Sequence, residues 1–271
     1  MADIGFVEIP GYGKIAYRRQ GAGFPLVLMH PVGLDLTFWE YIVPLLPAGF
    51  ETHALDFRGH GRSDPPPAPF ELDDLVSDAV AYLDRMGIGK AVFCGVSMGG
   101  MVAQKIALAH PGRTAGLILV NTTPRTDPAL MAARAEKVKA GGMAAVLDET
   151  LKRWFTEETA AKNPELLERV RKRLLADDPK THEWAWRAMT KMDVLDRLGE
   201  IRCPCLVIGS EHDRSTTPEI AKEMTRRLAN AEYAEIANAS HMAFLEKPQV
   251  FADAARQYLK RHDFAQTGDF N

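Results

Sequence analysis

The chain has 271 residues, of which 46% are hydrophobic and 25% are charged, and its formal net charge is −3. This balance is typical of an ordinary folded protein and excludes an intrinsically disordered chain. The small net charge gives no electrostatic basis for binding nucleic acid or an anionic membrane, and no apolar run approaches the roughly 20 residues that a membrane-spanning helix needs.

Up to about residue 120, apolar runs typical of strands alternate with helical patterns. Two short runs, 6–9 and 14–19, flank turn residues and predict a β-hairpin. The other expected strands are 25–29, 51–56, 91–95 and 115–120, and the expected helices are 38–46 and 72–86. Because the later strands are continuously apolar, as in a parallel sheet covered on both faces, the pattern predicts a doubly wound α/β sheet.

Between about 124 and 198 the strand-like runs disappear. Helical patterns follow one another there, at 128–140, 143–155, 164–176 and 179–191. The alternation then resumes, with strands at 205–208 and 233–236 and helices at 218–228 and 248–262. We therefore predict one α/β domain with a mostly parallel eight-stranded sheet, formed by residues 1–124 and 199–271, and a helical cap inserted at 125–198.

A serine lies at the bend of a predicted strand–turn–helix. The apolar run 91–94 leads into Gly95-Val96-Ser97-Met98-Gly99, and a helical pattern follows over 100–109. The two glycines let the backbone turn sharply and pass close to itself, which leaves the serine side chain open to a substrate. The short pattern alone also occurs in plain tight turns, but in this context it predicts a nucleophile at Ser97.

A serine hydroxyl needs a base, oriented by an acid, to act as a nucleophile. Asp213 follows the predicted strand at 205–208, and His241 follows the last predicted strand. Reactive groups in such a sheet collect at the carboxyl ends of the strands, so Ser97, Asp213 and His241 are the expected catalytic triad. The alternative is that Asp213 caps the next helix and that His241 is an ordinary loop residue.

Acyl transfer also needs two N–H donors for the negative charge that develops on the carbonyl oxygen. The backbone N–H of Met98, at the start of the helix after the serine, is one candidate. The loop after the strand at 25–29 supplies the other; Pro31 has no N–H, which leaves Val32. His30, in the same loop, is expected to brace it and not to act as the base.

Several motifs together resemble the α/β-hydrolase superfamily over nearly the whole chain. They are His30-Pro31-Val32-Gly33, Asp-Phe-Arg-Gly-His-Gly-Arg-Ser at 56–63, Gly95-Val96-Ser97-Met98-Gly99-Gly100, Asp213 and His241. The chain order Ser97, Asp213, His241 is also the order of this superfamily. The resemblance implies the fold and the triad already expected from the residues themselves.

Within the superfamily the chain is similar to the 3-oxoadipate enol-lactonases. The similar segments are 97–101, 142–145, 152–156, and 192–193 leading into 195–205. The resemblance implies hydrolysis of a lactone or small ester beneath a helical cap. The chain departs from the pattern at Pro31 and Ser210, where glycine is common, and at Thr181-His182-Glu183-Trp184, where these lactonases tend to carry Gly-Tyr. The last departure alters an expected wall of the pocket.

The substrate pocket is expected between the cap and the turn that carries Ser97. The candidate contacts are Trp154, Trp184, Arg153 and Met242, with core packing as the alternative for each. If the substrate carries a free carboxylate besides the bond to be cleaved, Arg153 or Arg134 is a candidate to bind it. The alternative is that these arginines face water, as most arginines of a cap do. No His, Asp, Glu or Cys cluster has metal-ligand spacing, and no G-x-G-x-x-G pattern supports a dinucleotide, so neither metal nor cofactor is expected.

Together the patterns predict a serine hydrolase that cleaves a small carboxylic ester or lactone through an acyl-enzyme. Two alternatives use the same residues: a cofactor-free perhydrolase or haloperoxidase-like esterase, and a receptor that binds a small lactone and turns it over slowly. A haloalkane dehalogenase is disfavoured, because its nucleophile is an aspartate and this chain has Ser97. The expected partner is a small-molecule substrate, and the sequence leaves a homodimer open.

Cysteine usage and the first residues bear on the compartment. Cys94, Cys203 and Cys205 are an odd number and lie in or beside strand-like runs, which favours buried free thiols. The N-terminal residues lack the basic and then apolar segments of a secretory signal peptide. We therefore expect a cytoplasmic protein.

Overall fold

The computed structural model describes residues 3–264. Its strands are β1 (Ile4–Ile9), β2 (Gly13–Gly21), β3 (Gly23–Met29), β4 (Gly49–Leu55), β5 (Ala91–Val96), β6 (Thr114–Val120), β7 (Cys205–Ser210) and β8 (Ala231–Ile236). They form one eight-stranded sheet in the order β1-β2-β4-β3-β5-β6-β7-β8. The β1–β2 and β2–β4 pairs are antiparallel and the others parallel. The predicted α/β fold with a mostly parallel sheet is confirmed.

The helices lie between the strands and after the last of them. They are α1 (Leu72–Arg85), α2 (Met98–Ala109), α3 (Pro128–Trp154), α4 (Glu157–Lys162), α5 (Pro164–Leu175), α6 (Pro179–Ala188), α7 (Pro218–Arg227), α8 (Ala243–Glu246) and α9 (Pro248–Arg261). Every residue of β5 is buried, because the centre of the sheet is covered on both faces. No helix within residues 3–264 has the length and apolar character to cross a bilayer.

The structure differs from the predicted elements in a few places. The helix expected at 38–46 is instead two 3₁₀ turns, Leu36–Tyr41 and Val43–Leu45, and Pro44, which has no N–H, lies where the helix would continue. The patterns at 128–140 and 143–155 form one helical span that breaks at Gly142, whose φ is 65°. Helices α4 and α8 were not predicted, because such short helices show too little periodicity.

The helical segment from α3 to α6 begins and ends at the same place beside the sheet. The Val194 N–H donates to the Pro124 carbonyl over 2.8 Å, and the Thr126 N–H donates to the Met192 carbonyl over 3.0 Å. The segment contacts the loops at the carboxyl ends of the strands; the Met242 N–H, for example, donates to the Trp154 carbonyl over 3.0 Å. The boundaries of a cap at 125–198 stay a prediction.

Candidate active site

Ser97 lies in a sharp turn between β5 and α2. Its backbone has φ 52° and ψ −113°, a conformation that residues with a side chain rarely adopt. Gly95 makes the turn sterically allowed, because a Cβ there would lie 2.2 Å from the Gly99 carbonyl oxygen. The Ser97 N–H donates to the Val120 carbonyl over 2.9 Å, and the Thr122 hydroxyl donates to the Ser97 carbonyl over 2.7 Å. Contacts with the end of β6 thus hold a strained residue in place.

The structure brings Ser97, Asp213 and His241 together at the carboxyl edge of the sheet. His241 Nε2 lies 3.0 Å from Ser97 Oγ, and His241 Nδ1 lies 2.8 Å from Asp213 Oδ2. The three residues are 9%, 2% and 4% exposed, in the order Ser97, Asp213, His241. Because an ionised carboxylate only accepts hydrogen bonds, Nδ1 carries the proton and the Nε2 lone pair faces the serine hydroxyl.

The Asp213 carboxylate is surrounded by donors. Its Oδ1 accepts from the Ser215 and Thr216 N–H groups over 2.7 and 3.1 Å, and its Oδ2 accepts from Thr216 Oγ1 over 2.6 Å and from Asn121 Nδ2 over 2.9 Å. Burial raises the pKa of Asp213, but the charge of His241 and hydrogen bonds from His241 and Thr216 outweigh burial and lower it to about 2. Asp213 is therefore ionised at neutral pH.

The loop after β3 lies beside the serine. Val32 is buried and lines the same cavity as Ser97 and His241, while Met98 is the first residue of α2, so its N–H has no acceptor within the helix. His30 Nε2 accepts from the Phe57 N–H over 3.0 Å, and its Nδ1 lies 2.7 Å from the Pro31 carbonyl oxygen. Burial lowers the pKa of His30 to about 3, so His30 is a neutral brace for this loop, as predicted.

A cavity of about 190 Å³ opens above Ser97 and His241. It is smaller than the roughly 300–1,000 Å³ of common ligand pockets and therefore suits a small molecule. Its lining includes Trp154, Trp186, Met131, Met189, Arg134 and Arg153. Two of the four predicted substrate contacts, Trp154 and Arg153, are in this set.

Trp184 and Met242, the other two predicted contacts, are placed elsewhere. Trp184 is half-buried, and the Lys180 ammonium lies 4.8 Å from its ring centroid. Residues two apart on a helix point about 200° away from each other, so Trp186 faces the cavity and Trp184 does not. Met242 is fully buried and belongs to the hydrophobic core.

Two guanidinium groups converge on the Trp186 ring. The Arg134 Cζ lies 4.8 Å and the Arg153 Cζ 6.0 Å from its centroid. Within residues 3–264, Glu149 is the one carboxylate within 4.0 Å of either group, at 3.9 Å from Arg153 Nη1, and it also pairs with Lys137. Burial and the neighbouring charge of Arg134 lower the pKa of Arg153 to about 10. One wall of the cavity is therefore positively charged, and few carboxylates of the protein neutralise that charge.

Sequence reasoning did not single out Asn121 or Thr216, which donate to Asp213, or Trp186 as a lining residue. A signal for Asn121 was present, because it directly follows β6 and polar residues at the carboxyl ends of parallel strands face the site. Thr216 and Trp186 depend on the path of a loop and on the rotation of a helix, which a local pattern does not specify.

A doubly wound sheet with a hydrogen-bonded serine, histidine and aspartate at its carboxyl edge is the architecture of an α/β hydrolase. The model of the alpha/beta hydrolase family matches residues 26–254. The chain belongs to this family.

Curated relatives and solved structures agree with this membership. The chain is 30% identical to 3-oxoadipate enol-lactonase 2 of Acinetobacter baylyi over 237 residues, 87% of this chain and 88% of that protein. The structure of the enol-lactonase from Burkholderia xenovorans LB400 is 30% identical with a TM-score of 0.91, covering 94% of this chain and 100% of that one. The structure of the malate-bound thermophilic esterase from Thermogutta terrifontis is 29% identical with a TM-score of 0.89, covering 96% of this chain and 99% of that one. The chain is a hydrolase similar to enol-lactonases and esterases.

Proposed function

We propose that this hydrolase cleaves a small carboxylic ester or lactone through an acyl-enzyme on Ser97. The observation that carries the proposal is the hydrogen-bonded line from Ser97 Oγ through His241 to Asp213, with distances of 3.0 and 2.8 Å. A serine activated by a base, which a buried carboxylate orients, is the arrangement used for nucleophilic attack on carbonyl carbon. The enol-lactonase and esterase relatives support the same chemistry.

In the first step Ser97 Oγ attacks the substrate carbonyl carbon while His241 Nε2 takes the serine proton. Asp213 keeps Nδ1 protonated and stabilises the imidazolium. The carbonyl oxygen becomes an oxyanion that accepts from the N–H groups of Val32 and Met98, each such donor contributing about 3–4 kcal/mol. Expulsion of the alkoxide, which takes the proton from His241, leaves the acyl-enzyme.

In the second step water replaces the alcohol. His241 removes a proton from the water as it attacks the acyl carbon, and the returning proton releases Ser97 with the free carboxylic acid as product. When the substrate is a lactone, alcohol and acid belong to one molecule, so ring opening gives a single product. The roles of Ser97, Asp213, His241, Val32 and Met98 are those expected from the sequence.

The substrate proposed for this site carries a second carboxylate. Two largely buried guanidinium groups, Arg134 and Arg153, lie over Trp186 in the cavity of Ser97, and desolvated positive charges are costly unless an anion pairs with them. Arginine binds carboxylates through two parallel hydrogen bonds. The enol-lactone of 3-oxoadipate, which the name of one relative gives as its substrate, keeps one free carboxylate. The structure of the Thermogutta terrifontis esterase contains bound malate, which has two carboxylates. We therefore assign the helical segment above the sheet the role of a substrate-binding cap.

Esterase activity tests the nucleophile. We expect Ser97→Ala to lower kcat for small p-nitrophenyl esters by about 10⁴-fold or more, and a fluorophosphonate to label wild type but not the variant. Ser77→Ala is the matched control, because the Ser77 hydroxyl lies on the exposed face of α1 and donates to the Asp73 carbonyl of the same helix. Full hydrolysis by Ser97→Ala would refute the assignment.

Substrate charge tests the arginine wall. We compare kcat/KM for five- and six-membered lactones with and without a side-chain carboxylate. Because a hydrogen bond to a charged group contributes about 1.5–3 kcal/mol, Arg153→Met is expected to lower the ratio of anionic to neutral kcat/KM by about 10- to 100-fold. Arg171→Met, which removes an arginine 41% exposed on α5, leaves the ratio unchanged. A wild type that prefers neutral lactones contradicts the proposed substrate.

The wild-type protein and the Ser97→Ala variant also distinguish the two alternative functions, a perhydrolase and a slow receptor. Peracid formation from acetate and hydrogen peroxide that outpaces ester hydrolysis identifies a perhydrolase. A single acylation without steady-state turnover, together with ligand-dependent binding of a protein partner, identifies a receptor.

A further inference from the structure

Asn121 occupies an unusual position directly after β6. Its φ is 43°, in the left-handed region that asparagine tolerates better than most residues. Its backbone N–H donates to the Ile208 carbonyl over 2.9 Å, which extends the pairing of β6 with β7, and the residue is 1% exposed. A strained and buried polar residue persists only where its surroundings hold it in place.

The side chain of Asn121 connects two residues of the neighbouring strand end. Its Nδ2 lies 2.9 Å from Asp213 Oδ2, the same oxygen that contacts His241 Nδ1 at 2.8 Å. The Ser210 hydroxyl, which is fully buried, lies 2.8 Å from Asn121 Nδ2 and 3.1 Å from its Oδ1. Ser210 is one of the positions at which we expected a departure from the enol-lactonase pattern.

The charge of Asp213 decides which end of the Asn121 amide faces it, since the Ser210 hydroxyl can bond to either end. The NH₂ end attracts an ionised carboxylate, whereas the carbonyl end would repel it. Ser215 and Thr216 also donate to Asp213, but they belong to the loop of Asp213 itself and move with it. Among the described residues, Asn121 and His241 are the donors to Asp213 that come from other elements.

We propose that Asn121, anchored by Ser210, is a positioning residue that keeps the Asp213 carboxylate aimed at His241 Nδ1. The proposal rests on the catalytic roles proposed above and goes beyond them, since it adds two residues and a strand end to the machinery. Without the amide, the carboxylate turns with its own loop and the imidazole loses its orientation towards Ser97. A misplacement of about 1 Å at a reacting centre costs about 100-fold in rate.

The test measures how fast a small fluorophosphonate labels Ser97 across a range of pH, which needs no knowledge of the natural substrate. Asn121→Leu removes the donor, and we expect labelling about 10- to 100-fold slower at every pH. Asn121→Asp supplies a carboxyl that donates while protonated and repels Asp213 once ionised. Its rate is therefore expected near wild type at low pH and to fall towards that of Asn121→Leu as pH rises. The other charged groups acting on Asp213 are His241, Arg134 and Arg153, which all variants retain.

Controls separate positioning from folding. Thr114→Val removes a buried hydroxyl at the far end of β6 and is expected to label at the wild-type rate. Melting temperatures show which variants fold. Ser210→Ala keeps the amide but removes its anchor, so slower labelling is expected for it as well; if neither Asn121 variant folds, this variant decides.

Two results would overturn the proposal. One is labelling within twofold of wild type by folded Asn121→Leu or, failing that, by Ser210→Ala. The other is a ratio of the Asn121→Asp labelling rate to the Asn121→Leu labelling rate that does not change with pH. If the side chain at this position only occupied space, protonating the new carboxyl would not restore the rate. Equal and negligible labelling of wild type and Ser97→Ala points instead to failure of the proposed nucleophile, and the role of Asn121 falls with it.

Discussion

Replacement of Gly95 by alanine is expected to displace the turn that carries Ser97. A Cβ at this position would lie 2.2 Å from the Gly99 oxygen, 2.3 Å from the Gly99 carbonyl carbon and 2.5 Å from the Gly100 nitrogen. Ordinary contact begins at 3.4 Å, so the closest pair must separate by about 1.2 Å (3.4 − 2.2). Because all three atoms are backbone, no rotamer change relieves the clash and the start of α2 must move away from β5.

The expected cost has a structural and a catalytic part. Overpacking of this kind destabilises a protein by about 1–3 kcal/mol, and each kcal/mol lowers Tm by roughly 2–4 °C in a chain of this size. Ser97 and the Met98 N–H belong to the displaced turn and move with it. A misplacement of about 1 Å at the reacting groups costs about 100-fold in rate. We therefore expect a Tm lower by about 2–12 °C and hydrolysis of p-nitrophenyl acetate slower by about two orders of magnitude.

Calorimetry and the esterase assay check both parts, with Gly112→Ala as the matched control. A Cβ on Gly112, in the turn after α2, meets no atom of residues 3–264 within 4 Å. Removing a glycine there reduces the freedom of the unfolded chain, so the variant is expected to be as stable as wild type or slightly more so. If Gly95→Ala matched Gly112→Ala in both Tm and kcat, the steric argument would be refuted.

Asp213→Asn is expected to lower kcat by about 10⁴-fold with little change in KM, because a neutral amide no longer fixes the imidazole tautomer; a loss of less than tenfold would contradict the proposed role. His60 is buried, and burial lowers its pKa from the ordinary 6.5 to about 3. Below pH 6.5 the unfolded chain therefore binds a proton at His60 that the folded chain does not bind, so the free energy of unfolding falls as pH falls, by about 2 kcal/mol at pH 5. In urea titrations, His60→Asn is expected to lose about 2 kcal/mol less unfolding free energy than wild type between pH 7 and pH 5; an identical pH dependence would argue against a neutral His60.

The fold was predictable because its strands carry a strong local signal. Residues 91–95 and 115–120 are apolar without interruption, and the structure buries all of them except the partly buried Ala115 at the centre of the sheet. The order of the strands left no such trace, because pairing β3 between β4 and β5 depends on contacts between segments distant in sequence. The expected helix at 38–46 was wrong for a local reason, since Pro44 lies inside it.

In the candidate site, too, the sequence predicts some residues and not others: the triad was predictable and the pocket lining was not. Ser97, Asp213 and His241 each follow a strand, and a parallel sheet brings such positions to one edge whatever the details of the loops. The pocket walls depend instead on how the helical segment is rotated and docked. Trp184 and Trp186 are equally good candidates by composition, and only the rotation of α6 separates the one that faces the cavity from the one beside Lys180.

The two ends of the helical segment lie side by side, which bears on how the segment could be replaced during evolution or by design. Arg125 and Asp193 form an isolated antiparallel bridge, so about seventy residues leave and rejoin the chain through one narrow neck. Domain insertions succeed where the two ends lie close together, and a neck of this kind lets the whole segment be exchanged for another while β6 and β7 keep their register. With the cap role proposed for this segment, substrate selectivity and bond cleavage are expected to be exchangeable separately. Chimeras joined at this bridge would then combine the substrate preference of one parent protein with the catalytic residues of another.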